Sequence, residues 1–265
     1  MDLEVLVSTM NEIDNEKLIN RMNIETKSIT VNQVTKSDIS LKSIKESKNR
    51  LYSYNEKGLS KSRNKAISLS NADICVIADN DVRYVKDYEK IILNSYKENP
   101  EYDIIIFNLN SNTKRKSGKL KDNCNINVLN AMRIVSSQIT FRRESALDIP
   151  FDENFGAGTY FDRGEETIWL VDCIKSGKKI KYIDNVIANV DEQESTWFKG
   201  FDEEFLKKQG AVFYRLMSKY YMILIIQYAI RKYKLYKKNT NIYQAIKLMN
   251  QGKKEYENKL KEENI

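Results

Sequence analysis

Short apolar runs alternate with amphipathic segments through the first half of the chain. Leu3 to Val7 reads as a strand, Asp14 to Met22 as a short helix, and Ser28 to Asn32 as a second strand. Arg50 to Tyr54 is a weaker third strand, and Ser60 to Ser70 a helix. The strongest strand signal is Ile74 to Ala78, an unbroken apolar run bounded by turn residues. A helix over Val85 to Glu98 and a strand over Asp103 to Leu109 complete the series. This alternation predicts an α/β fold: a mainly parallel sheet with helices on both faces.

The pattern loosens in the middle. Ser111 to Asn125 is polar and basic, which predicts an exposed loop or hairpin, and "SSQITFRR" resumes a strand. "FGAGTYFDRGEETIWLVDCIKSG" then reads as a loop and a helix, with Gly164 before the helix, Glu165 and Glu166 in its first turn and Gly177 at its end. "KKIKYID" is a further strand. From Phe205 to Lys238 the composition shifts to nine Lys or Arg, eight aromatics and no acid. Phe213, Leu216, Met217, Tyr220 and Leu224 fall there at helical spacing, and a Lys/Glu-rich helix closes the chain. The expected organisation is an α/β domain over residues 1–204 and a helical appendage over 205–265.

Composition narrows the chemistry. A chain of 265 residues has room for one large core, and two prolines and nine glycines supply no flexible linker. The three cysteines, Cys75, Cys124 and Cys173, include no CxxC pair, and there is no histidine. That excludes Cys/His zinc sites and any Ser-His-Asp or Cys-His machinery, leaving carboxylates, Lys and Tyr for acid–base work. The cysteine usage fits a reducing cytoplasm. "MDLEVLVSTMN" has no basic n-region and is not read as a signal peptide. "YYMILIIQYAI" is too short to span a bilayer.

Candidate chemistry gathers around the strongest strand. It ends in Asp79-Asn80-Asp81, two carboxylates one residue apart, able to share a divalent cation with a phosphate-bearing substrate; a polar turn has the same composition. An EF-hand starting at Asp79 would need Gly at Tyr84 and Glu at Lys90. Upstream, "GLSKSRNKA" starts a basic helix carrying Arg63, which suits an anion, although GxxxxGK[ST] is absent. Downstream, Glu165 and Glu166 read as a carboxylate base at a glycine-bordered pocket or as acids placed by the helix dipole. Trp197, in a polar loop, could stack on a sugar or pin that loop to the core.

In order, "VSTMN", "GLSKSRNKA", "ADND" and "FGAGTYFDRGEET" resemble the family 2 glycosyltransferases of the GT-A fold, and more narrowly a bacterial branch that assembles surface polysaccharides. The resemblance runs from Leu3 to Phe201. It implies inverting transfer of one sugar from a nucleotide donor, a UDP-sugar, to a glycan or lipid-linked acceptor. It further implies that Thr9, Asn11 and Asn32 hold base and ribose, that Arg63 lies near uracil and diphosphate, and that Asp79, Asn80 and Asp81 hold ribose or sugar. Asp79 and Asp81 would carry Mn²⁺ or Mg²⁺, Glu166 or its neighbour Glu165 would be the base, and Trp197 would meet the acceptor. There are departures. The second strand ends "VNQV" without an Asp pair, and Thr196 replaces the Arg of a QxxRW motif, which argues against processive synthesis.

Two competing readings remain at this level. A nucleotidyltransferase would also use paired aspartates, with further acids close to them. A basic binding module would explain the net charge of +7, but the basic residues match no nucleic-acid motif. No nucleic-acid partner is therefore expected. The basic, aromatic segment from Phe205 instead predicts peripheral attachment to the inner face of the cell membrane, with packing on the α/β domain as the other outcome.

Overall fold

The computed structural model describes residues 1–111, 120–190 and 200–263. Its secondary structure begins β1 (Leu3–Met10), α1 (Asn15–Arg21), β2 (Lys27–Gln33), β3 (Ser43–Ile44), β4 (Asn49–Tyr54) and α2 (Leu59–Leu69). It continues β5 (Ile74–Asp79), β6 (Val82–Tyr84), α3 (Tyr88–Glu98), β7 (Ile104–Ser111), β8 (Cys124–Asn125), α4 (Val128–Ala131), β9 (Ile139–Arg142) and α5 (Arg143–Ala146). The rest is α6 (Glu165–Lys175), β10 (Ile180–Val190), α7 (Glu203–Leu216), α8 (Tyr221–Arg231), α9 (Tyr233–Tyr236) and α10 (Ile242–Glu263).

The described strands form one sheet in the order β3-β4-β2-β1-β5-β9-β7-β10-β6, with β8 paired to β10. β4, β2, β1 and β5 are mutually parallel, as the alternation predicts. β9 departs from that pattern: it runs antiparallel between β5 and β7. The chain leaves β7 and returns in the opposite sense, so the sheet is mixed around a parallel core.

Period-two alternation sorts β1 between two layers. Leu3, Val5 and Val7 join Leu18, Ile19 and Met22 of α1 and Tyr88, Ile92 and Tyr96 of α3 in one apolar cluster. On the other side Ser8 meets Ser62 of α2, and Glu4 accepts from Ser70 just beyond that helix. Glu4 is buried, and Arg50 neutralises it with contacts of 2.8 and 3.1 Å. Cys75 and Cys173 are buried free thiols, pushed up by burial, Cys75 to about 12.

Several boundaries move for local reasons. Asp14 caps α1 by accepting from the Lys17 N–H at 3.0 Å. The helix expected from Val85 starts at Tyr88 instead, because Asp87 is left-handed at φ 63° and Val82–Tyr84 pairs with β10 as a strand. Gly177, at φ 82°, closes α6 where the sequence places its end, with its N–H bonded to Ile174 O and the next one to Cys173 O. Residues 112–119 of the predicted loop lie outside the described residues.

Two compact units are present: the described residues of Met1–Glu153 with Glu165–Glu194, and those of Asn154–Gly164 with Ser195–Ile265. The second is helical. Its helices α7 and α10 cross at two glycines. A Cβ on Gly210 would stand 1.9 Å from Met249 O, and one on Gly252 would stand 1.8 Å from Lys207 O. Only glycine permits that approach. An aromatic cluster of Phe155, Phe161 and Tyr256 ties the loop 154–164 to α10.

Candidate active site

In the sheet order, β2 and β4 lie on one side of β1 and β5 on the other, so the chain reverses direction across the sheet between β1 and β5. The carboxyl ends of strands flanking such a reversal open a crevice where α/β folds bind ligands. Thr9 is the penultimate residue of β1 and Asp79 the last of β5, Ser8 being in register with Asp79. Asn80 and Asp81 form the turn that follows, and Asn80 Nδ2 donates to Thr9 Oγ1 at 3.2 Å. Thr9 and Asn80 thus meet across the two strand ends.

Arg63 organises the crevice. It lies on α2, only 2% exposed, and donates through Nη2 to Asp79 Oδ1 at 3.1 Å and through Nη1 to Glu165 Oε1 at 3.0 Å. Burial opposes its charge, but Asp79, Glu165 and Glu166 outweigh that penalty and raise its pKa. Phe151 lies under the guanidinium at 5.5 Å. The start of α2 is fixed by Gln33, whose side-chain amide donates to Gly58 O at 2.9 Å and accepts from Gly58 N at 3.1 Å.

Glu165 and Glu166 open α6, which is anchored by Trp169. That indole stacks on Phe151 at 4.9 Å, meets Phe141 edge-on at 5.4 Å and donates to Ile149 O. Glu165 is buried and committed to Arg63. Glu166 differs: among the described residues its carboxylate accepts no hydrogen bond from another side chain. Burial and the neighbouring Glu165 raise its pKa to about 8, with Arg63 pulling the other way. Two adjacent acids with unlike environments are the usual basis for dividing acid–base labour.

Asn11 and Asn32 serve nearby backbone. Asn11, left-handed at φ 56°, accepts through its side chain from the N–H groups of Thr35 and Lys36. Asn32 is buried and holds Glu12 by both its N–H, at 2.9 Å, and its carbonyl, at 2.8 Å. Together they shape the rim beside Thr9. Trp197 lies outside the described residues. Sequence reasoning missed Ser136, which donates to Asp79 Oδ2 at 2.8 Å from a short 3₁₀ turn before β9. No local signal marks it. Its position depends on how β9 inserts.

Asp79 and Asp81 are oxygen donors suited to a hard cation. Among the described residues no three His, Cys, Asp or Glu side chains gather into a metal cage. Mg²⁺ and Mn²⁺ that accompany phosphates typically use one or two carboxylates and complete their shell with substrate oxygens and water. Asp79 can enter that mode only alongside the hydrogen bonds that its Oδ1 accepts from Arg63 and its Oδ2 from Ser136, which leaves Asp81 as the principal candidate ligand.

No protein-family model and no curated protein matches the chain. Among solved structures it is similar to S. aureus TarS in complex with UDP-GlcNAc, at 16% identity and TM-score 0.61, over 88% of this chain and 73% of that one. It is also similar to TarS in complex with UDP, at 14% identity and TM-score 0.59, over 90% of this chain and 74% of that one. The chain has the GT-A fold. Against a longer TarS chain the TM-score is 0.60 at 14% identity, and 88% of this chain spans 44% of that length. The parallel core of the sheet and the C-terminal helices α7 to α10 both belong to this arrangement. Among the described residues no helix is long and apolar enough to cross a membrane.

Proposed function

We propose that the protein is an inverting glycosyltransferase that moves one sugar from a UDP-sugar to a hydroxyl of a glycan or lipid-linked acceptor. The observation that carries this reading is the buried bridge of Arg63 between Asp79 and Glu165, with the carboxyl of Glu166 beside it and its pKa raised. TarS, of like fold, is known in complex with UDP and UDP-GlcNAc, which makes a uridine donor the first to test.

In this reading Thr9, Asn11 and Asn32 line the nucleoside end of the crevice, and Asp79, Asn80 and Asp81 receive ribose, diphosphate and sugar. Bound at Asp81 and Asp79, Mn²⁺ or Mg²⁺ would neutralise charge on the departing diphosphate as a Lewis acid. Glu166 removes the proton of the acceptor hydroxyl as its oxygen attacks the anomeric carbon from the opposite face. The bond to the diphosphate breaks, UDP leaves with the electron pair, and the configuration inverts. A carboxylate with a raised pKa is a stronger base than an ordinary one, and it needs no imidazole. Glu165 keeps Arg63 in place, and Trp197 is assigned to the acceptor.

A thermal-shift screen of UDP, UDP-GlcNAc and other nucleotide sugars, with and without Mn²⁺, tests the proposal. Uridine ligands should stabilise the protein more with Mn²⁺ than in EDTA, and Asp81→Asn should remove most of that difference. If no uridine ligand shifts the melt, the reading fails.

A further inference from the structure

The helical unit exposes an apolar face. The stripe marked by the sequence is split, because α7 ends at Leu216, α8 begins at Tyr221, and Phe213, Leu216 and Leu224 are buried. A different face stays exposed. α8 buries Leu224, Ile225 and Ala229, while Ile223, Ile226 and Ile230 are 64%, 44% and 59% exposed. Their spacing puts the three isoleucines on one side of the helix. Tyr220, just before α8, and Leu235, on α9, are exposed as well, at 56% and 49%. A helix apolar on both faces normally has both covered, and an exposed patch of this kind marks a contact surface.

Charge decides what the contact is. Lys219, Arg231, Lys232, Lys234, Lys237 and Lys238 flank the isoleucines along the chain, all exposed, and no acid occurs from 205 to 238. A second copy meeting the same face would bring like charges together. A nucleic-acid backbone would satisfy the lysines but give the isoleucines nothing to bury against. An anionic bilayer surface satisfies both. We infer that the α8–α9 face docks the protein on an anionic lipid surface. The inference stands apart from the sugar chemistry. It would place the protein on the surface where a lipid-linked acceptor resides.

Co-sedimentation of the full chain with phosphatidylcholine vesicles, with and without phosphatidylglycerol, tests it. Binding to the mixed vesicles should be at least ~10-fold stronger than to phosphatidylcholine alone. It should fall away in about 0.5 M salt, where the screening length is only a few ångströms. The combined variant Ile223→Ser, Ile226→Ser and Ile230→Ser should bind the mixed vesicles at least ~10-fold more weakly, with an unchanged melting temperature. Lys232→Glu with Lys234→Glu should weaken binding by charge alone. Equal binding by the isoleucine variant, or indifference of the wild type to lipid charge, overturns the inference. So does a dimer in light scattering that the isoleucine variant converts to monomer, since the face would then belong to a second copy. All readouts are taken without nucleotide, so the lipid result is independent of whether a UDP-sugar is the donor.

Discussion

Arg63 is 2% exposed and directs two guanidinium nitrogens at acids, whereas Lys232, Lys234 and Lys237 of the helical unit lie in water beside exposed isoleucines. In the crevice Arg63 and Glu165 are desolvated, and each is stable only because its partners are present. On α8 and α9 the charges remain hydrated and the apolar groups are the unsatisfied ones. The first arrangement suits chemistry on a charged small molecule, because fields act strongly where water is excluded. The second suits attraction to an extended surface, felt over a screening length. On the two proposals above, buried charge serves the reaction and exposed charge serves location.

The largest expected effect sharpens the first half of that contrast. Glu166→Gln keeps the shape and removes the proton acceptor, so transfer should fall by roughly 10²-fold or more while UDP binding persists. If activity survives there and vanishes in Glu165→Gln, the base is Glu165. In the wild type, kcat/KM should rise with pH through about 8 as the Glu166 carboxyl ionises. The stability sign is opposite. A carboxyl whose folded pKa of about 8 exceeds its ordinary 4.5 favours the native state at low pH and loses that contribution as pH rises through 8. Glu166→Gln should therefore melt above the wild type beyond pH 8, with no difference below 4.5.

Arg63 tests the contrast directly. Arg63→Ala leaves Glu165 buried and uncompensated, at a cost of about 3 kcal/mol, the lower end for a broken buried pair because Asp79 is one-third solvated. Lys234→Ala should change stability by less than ~0.5 kcal/mol. Urea midpoints measure both, and equal costs would erase the distinction between the two regions.

A smaller effect is expected where the helical unit relies on backbone contact. Gly210→Ala inserts a methyl group where a carbonyl oxygen stands, so α7 and α10 must separate, costing ~1–3 kcal/mol. Thermal unfolding checks it. A neutral result would show that the helices can part without loss.

Much of the crevice was legible because its signals are local. The apolar run before Asp79, the glycines bounding α6 and the acid pair between them each act over a few residues. β6 was missed because a three-residue strand carries too little pattern. Ser136 and the antiparallel sense of β9 were not legible, since both depend on a partner far away in sequence. The crossing of α7 and α10 did leave a trace. Glycine in mid-helix costs ~1 kcal/mol relative to alanine, so Gly210 and Gly252 inside helical patterns signal a close approach.

The position of β9 also constrains the order of folding. β5 and β7 precede it in the chain, yet β9 must lie between them, so both edges have to stay unpaired until residues 139–142 arrive. A direct β5–β7 pairing would be closer in sequence and wrong. Sheets that close through such distant contacts fold slowly and pass through collapsed species with exposed edges. Asp79 cannot receive Ser136 until that strand is seated, so that side of the crevice is completed only then. Trp169, edge-on to Phe141 of β9, is a built-in optical reporter of the moment it is.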